Sequence, residues 1–485
     1  MIEHVPIKDT PRLEAYDQYP SLIMALHQFR EESAMLAPKL KGRRIWMVNS
    51  TATGGGVAEM MPRMGSLMRQ IGLDLRWVVI NTQENAFFDL TKNLHNLIHG
   101  AGKPQFSEAD RQVFEQVNRE NADSFLPEIE DGDIVVIHDP QPMAMAGMLK
   151  AKRTIKTVWR CHIGLDQSNV HTQAAWDFLS PYLADYDRVI FTAPEYIPPQ
   201  VSQKVSIITP AIDPLSHKNR TLYLHKLSGI LIDSGLTTNE HPPIAPPFEH
   251  QVQRVRPGGS FGPATEPEPL GLMFRPIVTE ISRWDRLKGW LPLMQGFAHL
   301  KQTASYREVS ERHRRRLDLC RLVLAGPDPA FIADDPEGKA MLEELIEAYK
   351  AMPADLQKDI AILMIPMESR KENALIINAL QRCSSVVVQN SIQEGFGLTV
   401  TEALWKGIPV LGSKACGIRQ QLREGIDGHY IEKADDPVAI ADALNYVLSQ
   451  AVKREVWGFN AKRHTIDNFL VFTQIRKYMQ LFVKL

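Results

Sequence analysis

Ser391-Ile392-Gln393-Glu394-Gly395-Phe396-Gly397-Leu398-Thr399-Val400-Thr401-Glu402-Ala403 connects an apolar strand, Ser385-Val386-Val387-Val388-Gln389, to a helical run. A Gly-Phe-Gly turn sits at the joint. Its glycines let backbone amides come close to a ligand, and the helix N-terminus behind them favours anions. Glu394 stands just before the turn and Glu402 one to two helical turns into the helix. Both can face one pocket and accept hydrogen bonds from the hydroxyls of a ligand such as a sugar. Alone, the stretch reads equally well as a strand-turn-helix corner with a solvated acidic helix. The rest of the chain decides between the two.

The strand-loop-helix order recurs on both sides of this stretch. Upstream of it, Arg275–Ile281, Leu322–Gly326 and Ile360–Ile365 read as strands, and Pro409–Gly412 follows it. Nearer the N-terminus, Ile45–Asn49 runs through Gly54-Gly55-Gly56 into a helix and then a strand at Leu75–Ile80, a βαβ unit. Further strands are expected at Asp133–Ile137, Lys156–Arg160, Arg188–Thr192 and Val205–Ile208, with helical patterns between most of them. The alternation predicts an α/β protein with two Rossmann-like, doubly wound parallel-sheet domains facing a cleft. Residues 1–235 form the first domain and 271–460 the second, and a C-terminal helix over 461–485 packs back on the first. Between Leu236 and Pro269 there are eight prolines among 34 residues. Such a segment supports neither a regular helix nor a central strand, so 236–270 is expected to be an irregular linker or insertion, mobile in part.

A chain of 485 residues with 44% hydrophobic and 23% charged side chains has the composition of a soluble protein with full cores. A net charge of −2 gives no general reason to expect nucleic acid. The basic run Arg312-His313-Arg314-Arg315-Arg316 lies among Glu308 and Glu311 and reads as a solvated helix face. Cys161, Cys320, Cys383 and Cys416 show no C-x-x-C spacing, so neither a zinc site nor a disulfide framework is expected. No basic region followed by an apolar core opens the sequence, and no apolar run approaches the ~20 residues of a membrane helix. The expected location is the cytoplasm, with no membrane partner; self-association as a homodimer is left open.

Four further strand ends carry chemistry. Gly55 and Gly56 leave amides open to an anion. Arg283 and Lys288, after the first strand of the second domain, offer a bidentate guanidinium and a point charge, which together suit a diphosphate. His138 leads His138-Asp139-Pro140-Gln141-Pro142, where two prolines preset the loop. Arg160 and His162 flank Cys161, whose side chain is expected to alternate away from any site and to be structural.

With these residues together, the sequence resembles the retaining glycosyltransferases of the GT-B fold (family 4 type). Glu394 and Glu402 have their E-x7-E spacing. V-N-S-T-x-x-G-G-G-V-A-E, H-D-P-Q-P, W-R-C-H-I, P-x-I-D-P-L-S-x-K-N from Pro210, D-D-P-E-G from Asp334 and E-G-F-G-L-T-V-T-E-A-x-W-K-G resemble the trehalose synthase (glycosyltransferring) and trehalose phosphorylase branch. Departures fall at Gly164, where an acidic residue is expected, and at Ala415-Cys416-Gly417. The resemblance implies transfer of glucose from a nucleoside diphosphate-glucose, ADP- or UDP-glucose, to a small sugar acceptor, with glucose giving trehalose. It implies retention at the anomeric carbon, with no metal and no further cofactor. His138, Arg283, Lys288 and Glu394 would serve catalysis. Gly55, Gly56, Arg283, Lys288, Glu394, Gly395, Phe396, Gly397, Leu398, Thr399 and Glu402 would bind the donor, with Glu402 on the ribose. Asp139, Gln141, Arg160 and His162 would bind the acceptor. A phosphorylase using inorganic phosphate, and a non-catalytic sugar- or nucleotide-binding protein, are the alternatives.

Overall fold

A computed structural model describes residues 2–8, 11–52, 55–238, 246–331 and 336–485. Thr53 and Gly54 of the glycine loop, Asp334 and Asp335 of the D-D-P-E-G string, and residues 239–245 of the proline-rich segment lie outside the described residues. By its internal contacts the chain forms two units: Met1–Ile212 with Asp467–Leu485, and Asp213–Ile466.

In the first unit the strands are β1 (Glu3–His4), β2 (Arg44–Asn49), β3 (Asp74–Val79), β4 (Ile134–His138), β5 (Lys156–Arg160), β6 (Arg188–Phe191) and β7 (Val205–Ile207). They form one sheet in the order β1-β3-β2-β4-β5-β6-β7. Only β1 runs antiparallel to its neighbour among these. Strand β4 is buried along its whole length, as expected for a parallel sheet covered on both faces. β2 pairs with β3 on one side and β4 on the other, so the chain order reverses there. That reversal opens a crevice beyond the carboxyl ends of β2 and β4.

The chain returns to this unit at its end. Ile212 N–H donates to Phe469 O (2.9 Å) and Val471 N–H to Ile212 O (3.1 Å). The last helix, Val471–Phe482, sets Phe472 against Tyr16 and Phe29. The preceding helix, Ala451–Asn468, stays with the second unit as far as Ile466, so the return starts at 467 rather than 461.

The second unit holds β8 (Gln253–Val255), β9 (Phe261–Pro263), β10 (Ile277–Ile281), β11 (Arg321–Pro327), β12 (Ile360–Ile365), β13 (Val386–Gln389), β14 (Val410–Ser413) and β15 (Gly428–Ile431). Their order is β15-β14-β13-β10-β11-β12-β8-β9, with β8 and β9 antiparallel at the edge. The reversal lies between β10 and β13. The described part of the proline-rich segment therefore belongs to this unit and adds a hairpin to its sheet, where an irregular linker was expected. An edge strand tolerates proline, and here Pro257 falls at the turn and Pro263 at the strand end. Val252, Val255, Ala264 and Leu270 supply the buried contacts that hold it.

The basic run lies on the helix Glu311–Leu319. Arg312, Arg314 and Arg315 are exposed, whereas His313 is buried against Asn445 (2.9 Å) and Arg316 donates to Leu448 O (2.9 Å). The face is thus only partly solvated. Among the described residues no helix is long and apolar enough to cross a membrane.

Candidate active site

At the reversal of the second sheet, β10 and β13 deliver two loops side by side. After β10, Trp284 Nε1 donates to Pro327 O (2.8 Å) and Trp290 Nε1 to Arg283 O (3.0 Å), which pins the loop at both ends. Asp285 Oδ1 accepts from Leu287 N–H (2.8 Å) and starts a short turn over Arg286–Lys288. Gly289 follows at φ +70°, and a Cβ there would lie 2.3 Å from Asn390 O. Only glycine lets the β10 loop pass this close to the β13 loop.

The β13 loop is held from below. Gly417 N–H donates to Glu394 O (3.0 Å), and a Cβ on Gly417 would lie 2.5 Å from the Phe396 backbone. Gln421 Nε2 donates to Phe396 O, Gly397 O and Gly417 O. Gly397, at φ +82°, caps the helix Leu398–Trp405. The turn is therefore held by the protein's own contacts, with Gly395, Leu398 and Thr399 partly exposed and Phe396 buried. Gln421 and Gly417 were absent from the sequence-based set. Gln421 leaves no signal in one sequence, whereas Gly417 appeared there only as a departure.

Lys288 and Glu394 meet across the two loops, Nζ to Oε2, at 2.7 Å, with 14% and 11% of their side chains exposed. Ser391 Oγ also donates to Glu394 Oε2 (3.1 Å). The Arg283 side chain is exposed. Near the pair lies Glu280, fully buried, with the Asn390 backbone N–H directed at its carboxyl. Burial holds its carboxyl well above the usual range, while the Asn390 N–H and then Lys288 pull the other way. Glu402 is 5% exposed and sits 3.7 Å from Lys218. Burial brings the neighbouring Lys406 ammonium down to about 7, with Glu402 opposing.

In the first unit Gly55 and Gly56 begin the helix Gly55–Gln70 at the carboxyl end of β2. The residues at and just after the carboxyl ends of β4 and β5 form a closed cluster. His138 is 1% exposed, its Nδ1 lies 2.9 Å from His162 Nε2, and the two rings stack at 5.2 Å. Burial, with Arg160 adding to it, pushes His138 down to about 3 and His162 well below its usual value, so both imidazoles are neutral. Asp139 sits at φ +61°, accepts from His162 N–H (2.8 Å), and is raised to about 6 by burial. Arg160 is fully buried and donates to Thr192 Oγ1 (3.3 Å), while its Nε and Nη1 have no hydrogen-bond partner among the described residues. Gln141 Oε1 is likewise buried without one.

Cys161 is buried and its thiol is pushed up, which removes the thiolate a nucleophile needs. Gly164 has a physical reason: a Cβ there would lie 2.2 Å from the Tyr196 ring, so the position has no room for a carboxylate side chain. Among the described residues no three His, Cys, Asp or Glu side chains gather as a metal site would require.

The geometry therefore offers a paired cation and carboxylate beside a glycine turn in one unit, and a buried histidine pair in the other. Residues 47–198 match the family model "Trehalose synthase, N-terminal domain", and 273–464 match "Glycosyl transferases group 1". A trehalose synthase from Pyrococcus horikoshii is 33% identical over 92% of this chain and 91% of its own length. One from Rubrobacter xylanophilus is 33% identical over 98% of both. A trehalose phosphorylase from Pleurotus pulmonarius is 24% identical, over 89% of this chain but 56% of its own. An alpha,alpha-trehalose-phosphate synthase (UDP-forming) structure from Burkholderia xenovorans covers 91% of this chain and 100% of its own at a TM-score of 0.63 and 13% identity. That likeness shows the GT-B fold. The chain belongs to the trehalose synthase family and is a glycosyltransferase.

Proposed function

We propose that the protein transfers glucose, with retention, from a nucleoside diphosphate-glucose (ADP- or UDP-glucose) to a small sugar acceptor, glucose giving trehalose. The observation that carries this reading is the Lys288–Glu394 pair, held at 2.7 Å where the second sheet reverses and beside the amides of Gly395, Phe396 and Gly397. A diphosphate draws Lys288 and Arg283 to its oxygens and frees the Glu394 carboxylate for donor hydroxyls. The bond between the anomeric carbon and the diphosphate oxygen breaks as that carbon bonds to the acceptor oxygen on the same face. The acceptor proton passes to the departing diphosphate. The chief catalytic requirement is to stabilise negative charge on the leaving oxygen, which two cations and fixed amides supply.

On the acceptor side, the free donors of Arg160 and the ring of His162 suit hydroxyls, while His138, engaged by His162 Nε2 and Met47 Sδ, must release one of these contacts to meet one. A neutral imidazole can both donate and accept, as a sugar requires. The relatives named trehalose synthase support trehalose as the product.

Nucleotide release from ADP-, UDP- and GDP-glucose in the presence of glucose tests the proposal, with trehalose as the expected product. Phosphate-dependent release of glucose 1-phosphate from trehalose, with no nucleotide requirement, would establish the phosphorylase reading instead.

A further inference from the structure

Glu402 looks inward from the helix Leu398–Trp405, with 7% of its side chain exposed. Charge buried this deeply is costly without a countercharge. The ammonium at 3.7 Å comes from Lys218, which lies on neither a helix nor a strand. It belongs to Asp213–Arg220, the segment with which the second unit begins.

That segment is fixed by its own turns and by two helices. Asp213 Oδ1 accepts from Leu215 N–H (2.9 Å), and Ser216 O accepts from Asn219 N–H (3.0 Å) and Arg220 N–H (2.8 Å). From the helix Arg370–Cys383, Asn378 Nδ2 donates to His217 O (3.0 Å) and Arg220 O (2.9 Å), and Arg382 Nη2 donates to Arg220 O (3.2 Å). Trp405 Nε1, at the end of the Glu402 helix, donates to Asn219 O (2.9 Å). Lys406 Nζ ties Asn219 Oδ1 (3.2 Å) to Glu402 O (3.2 Å). The carbonyls on both sides of Lys218 are thus held by side chains from the donor-side helices. The held backbone fixes where the Lys218 side chain starts, beside a Glu402 carboxylate that is only 7% exposed.

We propose that Lys218 is a positioning residue: it holds the Glu402 carboxylate where both oxygens accept the two hydroxyls of the donor ribose. The inference rests on the nucleoside diphosphate-glucose reading above. Without Lys218 the carboxylate turns, and selection for the ribose diol weakens while sugar chemistry at Glu394 is left in place.

The test compares the nucleoside diphosphate-glucose that the wild type uses fastest with its 2′-deoxy and 3′-deoxy analogues. The wild type is expected to lose roughly 10- to 100-fold in kcat/KM when either hydroxyl is removed, the range for a hydrogen bond to a charged group. In Lys218→Met and Lys218→Gln that ratio is expected to fall below about threefold, with the effect in KM rather than kcat, and Lys218→Arg is expected to restore it. If the ratio is unchanged in both variants, or only kcat and thermal stability fall, the positioning role is overturned while the donor reading stands. A wild type that turns over nucleotide sugars without ribose preference also overturns it. If no nucleotide sugar is bound at all, the underlying reading fails with it.

Discussion

The strand ends of the two units solve opposite electrostatic problems. In the second unit the charged groups after β10 and β13 are paired and still reach solvent: Lys288 and Glu394 keep 14% and 11% exposure. In the first unit the groups at the carboxyl ends of β4 and β5 are sealed: His138 is 1% exposed and Arg160 fully buried. A partly hydrated ion pair can exchange its partner for a phosphate at modest cost, because neither charge is stranded as it moves. A buried neutral imidazole pair has no charge to exchange, and both ring nitrogens of His138 are already engaged, Nδ1 by His162 Nε2 (2.9 Å) and Nε2 by Met47 Sδ (3.4 Å). On the proposed function, the first of these arrangements serves an anion and the second a neutral polyol.

The comparison breaks most readily at Lys288. Lys288→Met is expected to lower turnover of a nucleotide sugar by ~10²–10³, the size of a lost electrostatic contact at a leaving group. A loss below about threefold, in a steady-state assay at saturating acceptor, would put the anion site elsewhere. A smaller effect is expected from Gly417→Ala, which leaves every charge in place. The new methyl meets the Phe396 backbone and Glu394 O within 2.6 Å and displaces the turn. Donor KM should rise about tenfold and the melting temperature fall by several degrees, consistent with overpacking costs of ~1–3 kcal/mol. An unchanged donor KM would mean that the amides of the turn do not touch the donor.

The smallest effects concern pH, and the two units are expected to respond with opposite sign. In the first unit the histidines have folded values below the unfolded ~6.5, so the unfolded chain binds more protons in acid. Their contribution is full above about 6.5 and is lost as pH falls toward about 3. Asp139, raised from 3.8 to about 6, opposes this between those two values, across most of that window. His138→Gln should flatten the acid limb of a urea-midpoint profile. In the second unit Glu280 is raised, so its contribution is full below the ordinary carboxyl range and is lost as pH rises above it. Glu280→Gln, close in shape and always neutral, should flatten the profile on that rising side. Each substitution changes the slope by at most about 1.4 kcal/mol per pH unit, the value for one proton. Profiles unaltered by either substitution would contradict the buried states assigned to these groups.

Most of the architecture was legible because it rests on local signals. The apolar strand at Val386–Gln389, the Gly-Phe-Gly turn and the helix after it each follow from residue chemistry within a few positions. The same holds for Ile45–Asn49 and Lys156–Arg160. The hairpin β8–β9 was not legible, because proline content dominates a composition reading while edge pairing depends on β12, a hundred residues away. Nor was the support of the turn: Gln421 and Gly417 act through contacts that no spacing rule encodes. Lys218 was visible only as one letter of a longer string, since its meaning comes from carbonyls gripped by Asn378, Arg382 and Trp405. Burial was the other hidden variable. His138 and Arg160 stood at the expected strand ends, but sequence could not tell an open side chain from a sealed one.

The most direct test of the central claim is calorimetric titration of the protein with ADP, UDP, GDP and inorganic phosphate, repeated with Lys288→Met. The account predicts that at least one nucleoside diphosphate binds far more tightly than phosphate and that the substitution weakens it at least about tenfold. Binding of phosphate alone, or nucleoside diphosphate binding indifferent to Lys288, would contradict it.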